Sequence, residues 1–199
     1  PYSIRFCVEK GPDTTPPRIV NTSILNGYPI QFNKTNLITE VYVNEPAECK
    51  WSKTDTDYKN MENSMSCNTN LWEMNLDNEY TCVANLTGIE SRKENVFYFR
   101  CKDKPGFEEK DRNVNTNSYK YVVIGTQPLN ILEAGPKDKI KGATDVVPVS
   151  LTIKTDNGYK NGEANCYYKT GNTTSYVQFL KTGVNEHEQR QDLTAGSYT

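Results

Sequence analysis

Two cysteine-centred sequence patterns each occur twice in this chain of 199 residues. Residues 164–170 repeat the order found in 47–54, which is Ala-x-Cys-x-aromatic followed by Lys-Thr. Residues 4–12 repeat the order found in 98–106, an aromatic-containing strand that ends in Cys and is followed by an acid, Lys, Pro and Gly. Repetition of two separate patterns predicts two related structural units.

The order of these patterns predicts that the second unit is not complete within its own segment. In the first unit, the pattern around Cys49 precedes the pattern that ends in Cys101. In the second unit, the sequence reaches Thr199 at the point where a strand with a counterpart of Cys101 is expected. Residues 1–7, which end in Cys7, have the sequence expected for that strand. We therefore expect the 199 residues to be one period of a repeating arrangement, cut from a longer chain or assembled head to tail.

Composition and periodicity favour thin β-sandwiches. Hydrophobic residues make up 35% of the chain, which is lean for a large core but adequate where each strand buries only alternate side chains. Val147–Ile153 alternates apolar and polar residues, and no segment repeats apolar residues at helical spacing over three turns. Many short alternating segments between turn signals predict an all-β fold of two immunoglobulin-like β-sandwich domains in tandem.

The chain divides into four predicted segments. Three prolines between residues 12 and 17 are incompatible with the interior of a sheet and indicate a stiff linker. The predicted segments are a strand at 1–10 that completes the second-type domain, a Pro-rich linker at 11–17, a first domain at 18–126 with a polar insert at 53–79, and a second domain at 127–199 that is incomplete without residues 1–10.

The six cysteines and the glycosylation sequons predict an extracellular, cell-surface protein. The chain has no Cys-x-x-Cys pair, and a zinc site needs such tight spacing, so we expect disulfides and no metal or other cofactor. Disulfides persist in oxidising compartments. The four Asn-x-Ser/Thr sequons, which predict a glycoprotein, begin at Asn21, Asn33, Asn85 and Asn172.

Several functional classes have little support in the sequence. The net charge is −2 with no basic patch, and no apolar run approaches the roughly 18–20 residues of a membrane helix, so we expect neither nucleic-acid binding nor a membrane span. The single histidine, His187, stands between two glutamates and is interpreted as a solvated residue on a strand face. The acids of the insert, Asp55, Asp57, Glu73 and Asp77, lack calcium-loop spacing and are interpreted as solvated. We predict that the protein is not an enzyme.

The two tryptophans are expected to differ in role. Trp51 lies two residues after a cysteine on a predicted strand, and it is interpreted as a core residue. Trp72 lies in the polar insert, and it is the better candidate for a contact surface.

Four segments together carry a family resemblance. Residues 13–17, 47–52, 57–61 and 98–103 resemble the immunoglobulin-like or fibronectin-III-like domains of archaeal and bacterial cell-surface proteins. Such domains are strung in tandem and joined by Asp-Thr-Thr-Pro-Pro entries. The resemblance implies a stalk, an adhesive surface or an envelope polymer rather than an enzyme.

The resemblance covers residues 13–125 well, and 129–199 followed by 1–10 less well. It departs from the family pattern in two places. The first unit has an extra cysteine pair, and the second unit has almost no strand between Cys7 and the Asp-Thr-Thr-Pro-Pro at 13–17. The resemblance implies a Cys49–Cys101 bridge between the two sheets of the first domain. Short separation pairs Cys67 with Cys82, and the repeated patterns pair Cys7 with Cys166.

Two functional hypotheses follow. In the first, the chain is a repeat unit or subunit of an extracellular filament, sheath or stalk, joined head to tail to copies of itself by β-strand complementation. Tyr2, Ile4 and Phe6 then face the core of a neighbouring second domain, or fold back onto their own. In the alternative, the chain is an adhesin or carbohydrate-binding ectodomain that binds surface glycans, with residues 53–79 as its recognition loop.

Overall fold

The computed structural model describes residues 2–7, 11, 13–171 and 174–198. Strands dominate these residues, and the helical structure consists of three short 3₁₀ helices at Tyr58–Asn60, Leu71–Glu73 and Glu109–Asp111. The predicted all-β fold class is confirmed. The strands are β1 (Ile19–Thr22), β2 (Tyr28–Ile30), β3 (Asn36–Val43), β4 (Ala47–Ser52), β5 (Asn63–Ser64), β6 (Ser66–Cys67), β7 (Tyr80–Thr87), β8 (Glu94–Asp103), β9 (Tyr119–Gly125), β10 (Leu129–Gly135), β11 (Val146–Asn157), β12 (Tyr167–Tyr168), β13 (Val177–Gln178) and β14 (Glu186–Thr194).

The chain forms two compact units. The first contains Pro1–Tyr28, Thr35–Ile89 and Glu94–Val123, and the second contains Pro29–Lys34, Glu90–Lys93 and Ile124–Thr199. The predicted boundary between the two domains, at 126/127, lies close to Ile124, where the long segment of the second unit begins. Two short stretches of the first predicted domain, Pro29–Lys34 and Glu90–Lys93, belong to the second unit.

The strands up to β9 form two sheets. One has the order β1-β3-β7-β6, and the other has the order β2-β9-β8-β4-β5. Buried and exposed residues alternate along β7 and through most of β8, as expected for strands with one face in a core. The buried aromatic rings include Phe99, which stacks on Tyr121 with ring centroids 5.3 Å apart.

The polar insert at 53–79 is more ordered than its sequence suggests. Within it, β5 pairs with β4 of one sheet and β6 pairs with β7 of the other. Tyr58 is buried, and its ring lies under the ammonium groups of Lys50 and Lys102, 5.0 Å and 4.8 Å from the centroid. Strands of two residues are too short to show alternation, so the sequence pattern did not indicate β5 and β6.

The second unit contains a three-stranded sheet and a separate strand pair. The sheet has the order β10-β11-β14, and β12 pairs with β13. Nearly all of the edge strand β10 is exposed. Among the described residues after 123, the buried hydrophobic side chains are Val149 and Phe179. The apolar core of this unit is therefore small.

The segment that enters the first unit, residues 13–17, is anchored by hydrogen bonds. The ammonium of Lys104 and the side-chain amide of Asn113 each donate to the carbonyl of Asp13 at 3.2 Å. The side-chain amide of Asn115 donates to the carbonyl of Pro17. Residues 2–7 form no strand, and every one of them is exposed.

None of the helices in the described ranges has the length and apolar character needed to cross a membrane.

Candidate functional site

Two disulfides form, with the pairings expected from the sequence. Cys49 is bonded to Cys101, and Cys67 is bonded to Cys82. The expected position of the first bridge was wrong. Cys49 and Cys101 are directly opposite each other on β4 and β8, which are neighbours in one sheet, so this bridge does not connect the two sheets. Cys67 and Cys82 are likewise opposite residues on β6 and β7.

The two bridges meet in the core of the first unit. The sulfur atoms of Cys49, Cys67 and Cys82 lie within 4.8 Å of one another, although the bridges belong to different sheets. This contact shows that the two sheets face each other at the disulfides. Disulfide sulfurs are not thiolates, so the oxidised cluster is not a set of metal ligands.

Cys7 and Cys166 are free thiols in the described structure. Cys7 is exposed, whereas Cys166 is half-buried just before β12. The backbone of Cys166 is fixed on both sides, since its N–H donates to Thr182 Oγ1 at 2.8 Å and its carbonyl accepts from Phe179 N at 2.9 Å. Burial raises the pKa of the Cys166 thiol, so less of it is thiolate at neutral pH.

The strand next to Cys166 has one paired edge. In the first unit, β4 carries Cys49 and is flanked by β8 and β5. In the second unit, β12 follows Cys166 and pairs with β13 alone among the described residues. The ring of Tyr168 meets that of Phe179 edge-on, with centroids 5.8 Å apart. The carbonyl of Cys166 accepts from Phe179 on the β13 side, as that of Cys49 accepts from Met65 next to β5. In the part of the chain that the structure describes, the edge of β12 that corresponds to the β8 side of β4 is therefore not paired with a strand.

His187 is buried, so its interpretation as a solvated strand-face residue was wrong. Its ring nitrogens lie 3.0 Å from Thr155 Oγ1 and 2.9 Å from Thr182 Oγ1. The side chain is 2% exposed, and this desolvation lowers its pKa because the charged form is disfavoured. Thr155 is 32 residues from His187 in the sequence, and Thr182 is 5 residues from it. The two glutamates that flank His187 do not indicate either hydrogen bond. These two hydrogen bonds hold the ring in place, and we interpret its role as structural.

The acids of the insert do not converge on a cation site. Asp55 and Asp57 approach the guanidinium of Arg100 at 3.7 Å and 3.5 Å. The Glu73 carboxylate accepts from the backbone and side chain of Asn70. These acids are paired within the first unit, so the structure offers no reason to assign them to calcium.

A different set of carboxylates, which no sequence pattern indicates, lies around Lys104. Oxygens of Asp13, Glu45 and Asp103 are within 4.8 Å of one another. The Lys104 ammonium is 3.6 Å from the carboxylate of Asp13 and 3.9 Å from that of the fully buried Asp103. The side-chain amide of Asn113 donates to Asp103 at 2.7 Å. Lys104 therefore supplies the positive charge of this cluster and ties the entry segment to the end of β8.

Residues 68–79 form a loop that exposes three large apolar side chains, while Met74 of the same loop is half-buried. Leu71, Trp72 and Leu76 are 72%, 82% and 101% exposed, while Trp51 is 4% exposed. The two tryptophans thus lie where the sequence indicated. The two leucines were missed because isolated apolar residues in a polar segment form no periodic pattern.

Three of the four sequons lie in the described structure. Asn21, Asn33 and Asn85 are exposed, as glycosylation requires. Asn172 lies outside the described residues. No family model, curated protein or solved structure matches this chain.

Proposed function

We propose that this protein is an extracellular, cell-surface structural repeat unit built from immunoglobulin-like sandwiches. Residues 2–7 of one unit complete the second sandwich of the next by β-strand addition, and the product is a filament, sheath or stalk. The observation that carries this proposal is an exposed apolar segment together with an underfilled second unit. Tyr2, Ile4 and Phe6 are 106%, 87% and 82% exposed, and they precede an anchored entry segment.

The second unit lacks the features that an added apolar strand would supply. It buries few apolar side chains, and β12 has an open edge beside Cys166. An added strand would satisfy the backbone groups of that edge and cover apolar surface at the same time. Transfer of three large side chains out of water contributes on the order of 5 kcal/mol before the cost of ordering the segment.

The first unit provides the template for the pairing. Cys49 lies opposite Cys101, so the corresponding arrangement places Cys166 opposite Cys7. Side chains alternate along a regular strand, which puts Cys7 on the face opposite to that of Ile4 and Phe6. A one-residue β-bulge between Phe6 and Cys7 allows both the apolar contact and the bridge. The sandwich already contains such an irregularity between Ile19 and Asn21 of β1.

The contact joins two different surfaces, so repeated addition yields an open polymer unless the rotation between units closes a ring. The two free thiols make a covalent joint available in an oxidising compartment. Because the bridge and the apolar contact contribute separately, they can be tested separately.

The experiment measures particle size and covalent linkage in the same samples. The chain is oxidised at micromolar concentration, then analysed by light scattering and by non-reducing denaturing electrophoresis. We expect a ladder that collapses on reduction. Cys7→Ser should remove the ladder but leave weaker non-covalent oligomers. The triple variant Tyr2→Ser, Ile4→Ser, Phe6→Ser should remove both.

The matched control is Leu25→Ser, which alters an exposed apolar residue of the first unit and should leave assembly unchanged. A wild-type chain that stays monomeric, with Cys7 and Cys166 bonded to each other in the same molecule, contradicts assembly between copies. It supports a strand that folds back instead.

Adhesion is the second candidate function, and the exposed Leu71, Trp72 and Leu76 favour it. The recognition segment is then shorter than the predicted 53–79, because residues 58–67 contribute buried side chains and strands to the first unit. Surface glycans are the partner class that the sequence suggested for this function.

A further inference from the structure

The loop at 68–79, called the tip loop below, is held in shape by its own hydrogen bonds. The Cys67–Cys82 bridge closes its base, and Asn68 N donates to Thr81 O at 2.9 Å just above the bridge. Asn70 and Glu73 cap the 3₁₀ helix reciprocally. Asn75 Oδ1 accepts from the backbone N–H groups of Asp77 and Glu79 at 2.9 Å each. A loop ordered before contact loses little further entropy on binding.

The same hydrogen bonds determine what the tip loop offers to a partner. The side-chain amide of Asn68 donates to the carbonyl of Glu73 at 2.8 Å, and that of Asn75 donates to the carboxylate of Glu79 at 3.0 Å. These groups, with the Asn70–Glu73 pair, are already engaged inside the loop. The largest outward side chains are apolar, Leu71, Trp72 and Leu76, and the polar groups beside them are Thr69, Asp77 and Asn78. An exposed surface with three large apolar side chains suits an apolar protein face.

The charge of the tip loop further restricts the class of partner. The sequence contains no Lys or Arg between residues 60 and 91, and Asp77 is exposed beside the apolar tip. An acidic surface repels the headgroups of anionic membranes and attracts a basic rim on a protein. The expected partner surface is therefore apolar at its centre and basic at its edge.

This chain carries such a surface in its second unit. The edge strand β10 exposes Ile131 and Leu132, at 63% and 58%, and Ile140 follows at 45%. The segment 136–141 adds three exposed lysines beside them, Lys137, Lys139 and Lys141. They outnumber the two exposed acids of the same stretch, Asp138 and Glu133, the latter 3.7 Å from Lys137. We call β10 with residues 136–141 the basic edge.

We propose that the tip loop of one copy docks on the basic edge of a second copy, with Trp72 as the anchor and Asp77 against the lysines. The contact is distinct from strand addition, because it uses neither residues 2–7 nor the open edge of β12. In a filament, it would join neighbouring strands of the assembly side by side. It does not depend on the proposed head-to-tail joint.

Changes in tryptophan fluorescence measure the burial of Trp72 on docking, because the chain has two tryptophans and the other, Trp51, is already buried. The experiment uses the full chain with Tyr2, Ile4, Phe6, Cys7 and Cys166 all replaced by Ser, which disables the head-to-tail joint. With rising protein concentration, we expect tryptophan emission to shift to shorter wavelength and acrylamide quenching to fall. Sedimentation velocity should show a salt-sensitive dimer or larger species over the same range.

Substitutions at the two surfaces test the pairing. Trp72→Ser or Leu76→Ser should weaken association about 30-fold or more, as expected for anchor residues, whereas Leu25→Ser should not. Lys139→Glu with Lys141→Glu should abolish it, and adding Asp77→Lys to that variant should restore part of it. This rescue can occur only if the two surfaces meet.

Three results would overturn the proposal. One is a spectrum that does not change with concentration. Another is association that survives Trp72→Ser. The third is a blue shift produced by phosphatidylcholine vesicles or by added oligosaccharide but not by more protein, which assigns the tip loop to a membrane or a glycan. Each result leaves the test of the head-to-tail joint unaffected, because that joint is absent from the protein used.

Discussion

Cys49 and Cys101 face each other across neighbouring strands of one sheet, with their Cα atoms 4.0 Å apart. The backbone hydrogen bonds of these two cysteines go to other residues and not to each other. Cys49 O accepts from Met65 N, and Cys101 N donates to the side chain of Asn115. They are therefore a non-hydrogen-bonded pair, the antiparallel position in which side chains come closest. A bridge here joins strands that are already paired, so it acts mainly by restricting the unfolded chain.

Removing the two bridges should have unequal effects on the first unit. The Cys49–Cys101 bridge spans 52 residues and the Cys67–Cys82 bridge spans 15. Loop-closure entropy then gives losses of about 4 and about 3 kcal/mol for the two double Cys→Ala variants. Urea unfolding, followed by Trp51 fluorescence in a Trp72→Phe background, measures both. A larger loss for the shorter loop would show that packing of the Cys67–Cys82 bridge against Cys49 outweighs the entropy of the unfolded chain.

The stability of the second unit should fall as the solution is acidified. Burial lowers the folded-state pKa of His187 below its ordinary value of 6.5. The neutral ring is thus favoured in the folded protein, and the unfolded chain binds a proton first. The contribution is complete above about pH 6.5 and declines as the pH falls from there towards the folded pKa.

Hydrogen exchange of β11 and β14 at pH 7.5 and pH 5 measures this effect, after correction for the intrinsic rate. We expect lower protection at pH 5 in the wild type. His187→Gln keeps a donor and an acceptor for Thr155 and Thr182 but does not titrate in this range, so its protection should change less. Equal changes in the two proteins would assign the pH dependence to other groups.

Much of the sheet structure could be predicted from local sequence. The strand predicted around Cys49 and Trp51 is β4, and the alternating segment at 147–153 falls within β11. Alternation over five or more residues shows which face of a strand is buried. The same logic fails for β5 and β6. Each is two residues long and is a strand only because a longer neighbour pairs with it.

The parts of the candidate sites that sequence could not predict depend on contacts between distant residues. His187 is polar on both sides in sequence, yet hydroxyl groups from β11 and the loop before β14 enclose it. Lys104 is an ordinary loop residue until the fold brings Asp13 and Asp103 to it. The disulfide partners followed from repetition and spacing, but their sheet positions required strand order.

Lys104→Met should destabilise the first unit and loosen its entry segment. The substitution leaves the buried carboxylate of Asp103 with Asn113 but without its cation. Asp13 loses both contacts with Lys104 and keeps the hydrogen bond from the side-chain amide of Asn113. We expect a loss of about 1–3 kcal/mol, because Lys104 is largely buried and its removal leaves a buried charge uncompensated. Limited proteolysis should cut between residues 2 and 17 faster than in the wild type.

The matched control for that variant is Lys110→Met. Lys110 pairs with Glu108 at 2.8 Å, but both side chains are 74% exposed, so the loss should be within experimental error. Equal losses in the two variants would show that the Lys104 cluster is no more important to folding than a surface ion pair.

Truncation of Tyr58 should lower the stability of the first unit, whereas truncation of Trp72 should leave it nearly unchanged. Both residues lie in the segment that the sequence predicts as one polar insert. Tyr58 is 7% exposed, and the ammonium groups of Lys50 and Lys102 lie 5.0 Å and 4.8 Å from its ring centroid. Tyr58→Ala should cost about 2–4 kcal/mol, as for other buried large side chains, whereas Trp72→Ala should change stability by about 0.5 kcal/mol or less. Urea unfolding measured by circular dichroism below the assembly concentration gives both values. Trp72→Ala should instead weaken association between copies, and a large loss of stability in that variant would place Trp72 in the core of the folded unit.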